Sequence, residues 1–370
     1  LETGFGVKTE KDKKMNKPLW KDNWEESRQH YLDWWAGKGL VLSMWEHLPK
    51  AGAPYETVEA PAPAKDLTQT WFDPAWRAAN IHFNLAHSSL KADILPVANT
   101  QLGPGSLAAV LGASLEGGED TIWIHPQANK NDEIILDENN PWWQLHLNLI
   151  KSCKDLAQGR YFVGCPDLIE GLDTLAGLWG TQPVLLKMVD NPEELESQLQ
   201  KVNEIWFEVF ERIYQEININ GEMAFCYFSL WAPGRMAKLQ SDISGMFSTR
   251  SFRRFVQPFI REQCQKLDYS LYHLDGVDAK RHLDALLEIK ELNAIQWTPG
   301  VGQPQGGDVC WFDLYKKIRA AGKGVMATWV ELDELQPLLD TVGPAGLNIL
   351  MNFKTERDID AALEIVSHYR

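Results

Sequence analysis

Positive charge is in short supply in this sequence. There are 36 lysines and arginines against 51 aspartates and glutamates, a net charge of -15. That balance argues against a polyanion groove, so nucleic acid is not expected as a partner. It also disfavours a substrate with many carboxylates. Cysteine is scarce too, five residues with no CxxC spacing. Cys153, Cys165, Cys226, Cys264 and Cys310 read as buried free thiols of a reducing, cytoplasmic compartment. No apolar run reaches about 18 residues, so no membrane span is expected. The first 18 residues are polar, carry Lys11, Lys13 and Lys14, and lack the apolar stretch of a signal peptide. They are expected to be a disordered or cloning-derived tail before a single domain, residues 19–370. Absent as well are a GxGxxG after a strand, GxxxxGK[ST], GxSxG and HExxH. The dinucleotide, P-loop, nucleophile-elbow and zincin chemistries go with them. Gly103-Pro104-Gly105 is too short to cradle a phosphate.

What is present is a core. Hydrophobic residues make up 44% and charged ones 24%, which suits a globular chain and not a disordered one. There are 16 tryptophans. A buried indole N–H wants a partner, so not all of them are expected in the core, and the excess hints at a stacking site. Eight short apolar runs bounded by turn signals read as buried parallel strands. They are 39–45, 92–98, 161–164, 223–228, 269–273, 294–297, 324–330 and 347–351. Amphipathic stretches lie between them, several with clear starts. Asn191-Pro192-Glu193-Glu194 supplies a cap, a proline in the first turn and acids. Asn140-Pro141, Ser248 and Thr355 open others. Strands alternating with helices predict a closed (β/α)8 TIM barrel. An N-terminal helix over 22–35 extends it, and a long polar segment, 103–139, reads as an insertion over its mouth.

A barrel of this kind works at the C-terminal ends of its strands. The residues there are Trp45, Glu46 and His47; Cys165 and Asp167; Tyr227 and Trp231; Tyr272, His273 and Asp275; Gln296 and Trp297; Trp329 and Glu331; and Asn352. Asp93 sits inside an apolar run, where an unpaired charge is costly. Each has a plainer reading: Asp275-Gly276 as a turn, His273 as a core histidine, Glu46-His47 as a solvated pair, the tryptophans as packing. Asp93, His273, Asp275, Trp297 and Glu331 are expected to converge on one cavity. His273 and Asp275, with a more distant third ligand such as Glu331, would suit zinc.

Several segments resemble the uroporphyrinogen decarboxylases and their methyltransferase relatives, in order, over about residues 39–368. Residues 159–167 (GRYFVGCPD) and the following 168–180 are similar to the third-strand region of that superfamily. Residues 241–258 (SDISGMFSTRSFRRFVQP) resemble its S…F..F..P helix opening. His273-Leu274-Asp275-Gly276 lies where the methyltransferases carry HxCG, residues 294–298 (AIQWT) resemble LDWT, and 91–95 (KADIL) resemble SDIL. The resemblance implies a TIM barrel, a central catalytic role for Asp93, a zinc site at His273 and Asp275, and a corrinoid or folate partner. Two departures stand out. Where the decarboxylases carry RQAGR, this chain has residues 44–48 (MWEHL), which removes bidentate carboxylate recognition. Asp275 replaces the zinc-binding cysteine.

Two kinds of activity follow. One is methyl (C1) transfer on a small neutral or cationic substrate, with Trp and Tyr boxing a methyl or methylammonium group. Asp93, His273, Asp275 and Glu331 would be catalytic. Trp45, Glu46, His47, Tyr227, Trp231, Tyr272, Gln296, Trp297, Trp329 and Asn352 would bind the substrate. The other is cofactor-free glycosidic cleavage or sugar lysis, using stacked tryptophans with Glu46, Asp275 and Glu331 as paired carboxylates.

Overall fold

The structure, a computed structural model, describes residues 18–103, 105–127 and 134–370. The tail expected over 1–18 lies outside these residues except for Pro18, which is buried. The strands are β1 Leu40–Met44, β2 Val97–Ala98, β3 Ser114–Gly117, β4 Ile122–His125, β5 Phe162–Cys165, β6 Met223–Phe225, β7 Leu230–Ala232, β8 Met236–Gln240, β9 Tyr269–Asp275, β10 Ala294–Thr298, β11 Gly324–Val330 and β12 Leu347–Met351. The helices are α1 Trp24–Trp35, α2 Leu67–Phe72, α3 Pro74–Ala86, α4 Ser106–Val110, α5 Pro141–Ala157, α6 Gly171–Trp179, α7 Thr181–Asp190, α8 Pro192–Ile217, α9 Thr249–Phe255, α10 Gln257–Lys266, α11 Leu283–Leu287, α12 Phe312–Ala320, α13 Leu332–Val342 and α14 Glu356–Val366. No helix among the described residues is long and apolar enough to cross a membrane.

Six strands form one parallel sheet in the order β1-β12-β11-β10-β9-β8. A second sheet runs β2-β5-β6-β7, with β7 antiparallel. Helices follow most strands, as an α/β fold requires. The closed barrel expected from the sequence is not what the ladders show: among the described residues the two sheets are not hydrogen-bonded into one. Both gaps have local causes. Near β1, Ala92 takes a left-handed φ of 51°. One bond, Asp93 N–H to Leu42 O, reaches β1 before the chain turns away, which leaves β2 only two residues long. At the other gap, Phe228 (φ 64°) and Ser229 (φ 48°) fold the chain back, so that β7 covers the edge of β6. The strand expected over 223–228 therefore stops at Phe225. Its neighbour β8, where Lys238 and Gln240 break the apolar pattern, was not legible as a strand.

The helix starts follow their sequence signals. Asn140 accepts from the N–H groups of Trp142 and Trp143 at α5, and Thr355 makes a reciprocal box with Asp358 at α14. The segment expected as an insertion holds α4 and the β3–β4 hairpin, with residues 104 and 128–133 outside the description. Four cysteines are buried; Cys310, expected to be buried, is exposed.

The tryptophans are mostly core. Trp24, Trp143, Trp206, Trp231 and Trp297 are buried with no hydrogen-bond partner for their N–H among the described residues. That corrects the expectation that unpartnered indoles stay out of the core. A tryptophan buries about 150–250 Å². At about 25 cal/mol per Å² this is worth roughly 4–6 kcal/mol, against about 1–3 kcal/mol for one unmade bond.

Candidate active site

Parallel register sorts the strand residues into two faces. Gln240, His273 and Gln296 are direct partners across β8, β9 and β10 and form one inward row. Asp275 and Thr298 form the next row toward the strands' C-terminal ends, and Asp242 follows β8. The same alternation turns Tyr272 and Trp297 toward the helices, where both are buried. Trp297 meets Trp311 edge-on, with ring centroids 5.0 Å apart. These two are not mouth residues, contrary to expectation: period 2 allows only every other strand residue to face inward. Trp231 on β7 is also removed from the mouth. It packs edge-on against Trp24 at 5.4 Å, beneath the Arg28 guanidinium.

Side-chain oxygen or nitrogen atoms of Asp242, His273 and Asp275 lie within 4.8 Å of one another, and His273 is buried beneath the two exposed carboxylates. His273 Nδ1 bonds the Gln296 amide oxygen, which can only accept. Nδ1 therefore carries the hydrogen, and Nε2 keeps its lone pair. Gln296 is oriented in turn by its amide N–H groups, which reach Thr298 at 2.7 Å and Thr328 at 3.5 Å. Burial, helped by the charge of Lys238, pushes His273 down to about 3, so the ring is neutral at neutral pH. Burial raises Asp275, and Lys238 opposes that rise. The Asp275 carboxylate makes no hydrogen bond among the described residues. Asp242 is also raised, first by the protein crowded around it and then by Asp173. The set is one neutral imidazole with a free nitrogen and two carboxylates short of counter-charge. It fits zinc, which takes three protein ligands of N and O type and leaves a position open.

Below these three residues lies a buried layer. The Lys238 ammonium and the Asp167 carboxylate pair at 2.5 Å, with side-chain exposures of 1% and 2%. Lys238 also bonds Gln240 and sits 4.6 Å from the Tyr227 ring. Gln240 donates to Asp242 at 2.9 Å. Glu170 accepts from the Gln240 N–H, and Asp173 from the N–H groups of Asp242 and Ile243. Burial raises both Asp167 and Glu170. Sequence reading missed Lys238, Gln240, Asp242, Glu170 and Asp173 as site residues. One signal was available: a lysine in an otherwise apolar MAKLQ run needs a buried partner.

Aromatic rings stand beside this cluster. Trp45 contacts Tyr227, Phe228 and Trp329 at 4.8, 4.6 and 5.5 Å, and Tyr227 lies 6.2 Å from His273. By parity Trp329 would face the helices. A register shift between Thr328 and Val330, with Trp329 at φ 58°, turns it toward Trp45 instead. Left-handed φ is costly for bulky residues, and two of these four rings adopt it. A cavity of about 640 Å³ lies against Trp45, Glu46, His47, His87 and Asn99. A second, of about 310 Å³, lies against Trp45, Trp71, Arg77, Asn99 and Tyr227. His47 Nε2 donates to Leu95 O at 3.0 Å, and burial lowers the pKa of its ring.

The remaining candidates lie apart. Asp93, expected as catalytic, is fully buried and holds His30 at 2.8 Å, Arg370, and the Leu42 N–H at 2.9 Å. Its carboxylate ties α1, β1 and Arg370 together, and it has no contact with His273. Glu331, expected as catalytic or as a third zinc ligand, caps α13 through Glu334 and accepts from Asn352 at 2.5 Å. Glu46 lines the larger cavity. The three carboxylates of the glycosidase reading thus have separate surroundings, and only Asp275 belongs to the His273 cluster.

No family model matches the sequence, and no curated protein does. The fold is similar to the solved structure of a methyltransferase from Methanosarcina mazei. The two are 10% identical over 93% of this chain and 98% of that one, with a TM-score of 0.60. At that identity the likeness shows a shared α/β fold.

Proposed function

We propose that this chain is an enzyme of methyl (C1) transfer, a divergent relative of the uroporphyrinogen decarboxylase and methyltransferase superfamily. Asp242, His273 and Asp275 would hold a zinc ion. The observation that carries this reading is the convergence of these three donors, with His273 Nε2 left free by the bond to Gln296. The ordered sequence resemblance and the similar Methanosarcina mazei fold support it. When bound, the metal would supply a Lewis acid that lowers the pKa of a coordinated nucleophile. Gln296 fixes the imidazole tautomer. The Lys238–Asp167 pair lies beneath the metal-binding carboxylates, and its cation helps keep them ionised. Trp45, Tyr227, Phe228 and Trp329 exclude water and offer ring faces to a methyl-bearing group. A corrinoid or folate partner would carry the methyl group.

Substitution at Asp275 tests this. A thiolate binds zinc readily, so Asp275→Cys is expected to retain about one zinc per chain and part of the activity, while Asp275→Ala loses metal. If Asp275 instead moves a proton on a sugar, Asp275→Cys should lose about 10²–10⁴-fold in turnover whatever the metal content. Equal zinc content and activity in both variants and the parent would reduce Asp275-Gly276 to a turn.

A second expected result concerns the decarboxylase relatives. With Trp45-Glu46-His47 in place of an arginine clamp, no measurable decarboxylation of uroporphyrinogen is expected. Turnover on the order of 1 per second in a direct assay would show that the chain is a porphyrinogen enzyme after all.

A further inference from the structure

Arg77, on α3, is only 9% exposed. Its guanidinium donates to three main-chain carbonyls: Trp71 O at 3.3 Å, Asn99 O at 3.3 Å and Gln101 O at 2.8 Å. Among the described residues no carboxylate lies within ion-pair distance of it. The titratable groups around it carry no balancing charge. Burial pushes the Cys153 and Cys226 thiols up to about 12 and His146 down to about 3. Burial also lowers Arg77 itself, to about 10, which leaves it charged at neutral pH. Carbonyl oxygens, one of them in the last turn of α2, offset part of that charge through their dipoles. A buried cation without a counter-ion is nonetheless expensive. Arg77 lines the 310 Å³ cavity, together with the amide side chains of Asn99 and Gln101 and the rings of Trp71 and Tyr227. Asp120 is on the same wall but is exposed. The cavity adjoins the larger one through Trp45, Asn99 and Cys226, which line both. Lysine and arginine are absent from the lining of the larger cavity, where Glu46 is the charged residue.

We infer that the smaller cavity binds the carboxylate of a small organic acid through Arg77, and that the rest of the acid passes Trp45 into the larger cavity. Resting on the methyl-transfer reading above, this names its substrate class: a methylated compound with one carboxylate at one end and a neutral or cationic group at the other. Arg77 is a single arginine on α3, and residues 44–48 add no second one, so it supplies one anion contact and not a clamp for many.

Benzoate and benzamide, which differ in charge and little in shape, are the probes. Calorimetry on the full chain is expected to show benzoate binding at least about tenfold more tightly than benzamide, as a charge-assisted bond to a buried guanidinium requires. Arg77→Gln should abolish that preference and leave benzamide binding unchanged, while Arg77→Lys should keep part of it. If Arg77→Gln does not fold, the parent chain decides alone: equal affinities for the two probes, or no benzoate binding at about 10 mM, overturn the inference. Inorganic phosphate that binds as tightly as benzoate and displaces it would also overturn it, since the site would then be a general anion site. Zinc content, measured on the same samples, keeps the two readings apart. Benzoate preference without bound metal would leave the Arg77 site standing and sink the zinc-dependent transferase. Bound metal without benzoate preference would do the reverse.

Discussion

His273→Ala is expected to empty the proposed zinc site and abolish the proposed methyl transfer. The substitution removes the donor that lies deepest, whose lone pair is freed by the Gln296 bond. The two carboxylates left behind repel each other when ionised and already sit above their usual range, chiefly because the protein around them displaces part of their water. Metal affinity should fall by more than about 100-fold. Gln296→Leu offers a graded comparison: it keeps the imidazole and loses only its orienting acceptor, for which about 10–100-fold is typical. Zinc per chain after exhaustive dialysis, measured by atomic emission, reads both variants. Retention of a full equivalent by His273→Ala would place the metal elsewhere. Greater loss in Gln296→Leu than in His273→Ala would contradict the tautomer argument.

The second large effect is on stability, at Asp93. Its carboxylate is fully buried, while its partners His30 and Arg370 keep side-chain exposures of 17% and 19%. Breaking a buried ion pair typically costs about 3–5 kcal/mol. Because both partners reach solvent, Asp93→Ala should fall at the lower end, about 3 kcal/mol in denaturant unfolding. Burial alone would raise Asp93, but the His30 bond and the Arg370 charge outweigh it, and the carboxyl ends below its usual 3.8. A group whose pKa is lower when folded stabilises the fold at pH above its unfolded value, near 3.9. That stabilisation fades as pH falls through the folded value. The gap between parent and Asp93→Ala should thus be full at neutral pH and shrink below about pH 4. Zinc content should be unchanged. An Asp93→Ala chain as stable as the parent yet catalytically dead would return Asp93 to the catalytic centre.

Asp93 shows why a motif and a position diverge. In the sequence, a carboxylate inside KADIL needs a strong partner, and that inference holds physically. The partners, however, are His30 and Arg370, 63 and 277 residues away. Nothing local distinguishes a carboxylate held by an arginine 277 residues away from one held for a substrate. Trp297 makes the same point on a smaller scale. It lies near the C-terminal end of its strand, one residue before the end, but parity in β10 turns it to the helices.

The eight apolar runs, their order and their alternation with capped helices could be read directly, because burial on both faces of a parallel strand writes a short apolar block into the chain. Lys238 and Gln240 broke that pattern and hid β8, since a strand that carries polar groups inward stops looking like a buried strand. The amino-acid order thus determined the α/β class, most element positions and the placing of His273 and Asp275 on one strand end, all consequences of short-range periodicity. Tertiary structure alone decided the rest. It brought Asp242 from the end of β8 to that pair, set Lys238 on Asp167, turned Trp329 inward through a one-residue register shift, and left the two sheets unjoined. Those outcomes depend on which distant segments become neighbours, and contact between residues far apart in the chain leaves no periodic trace in it.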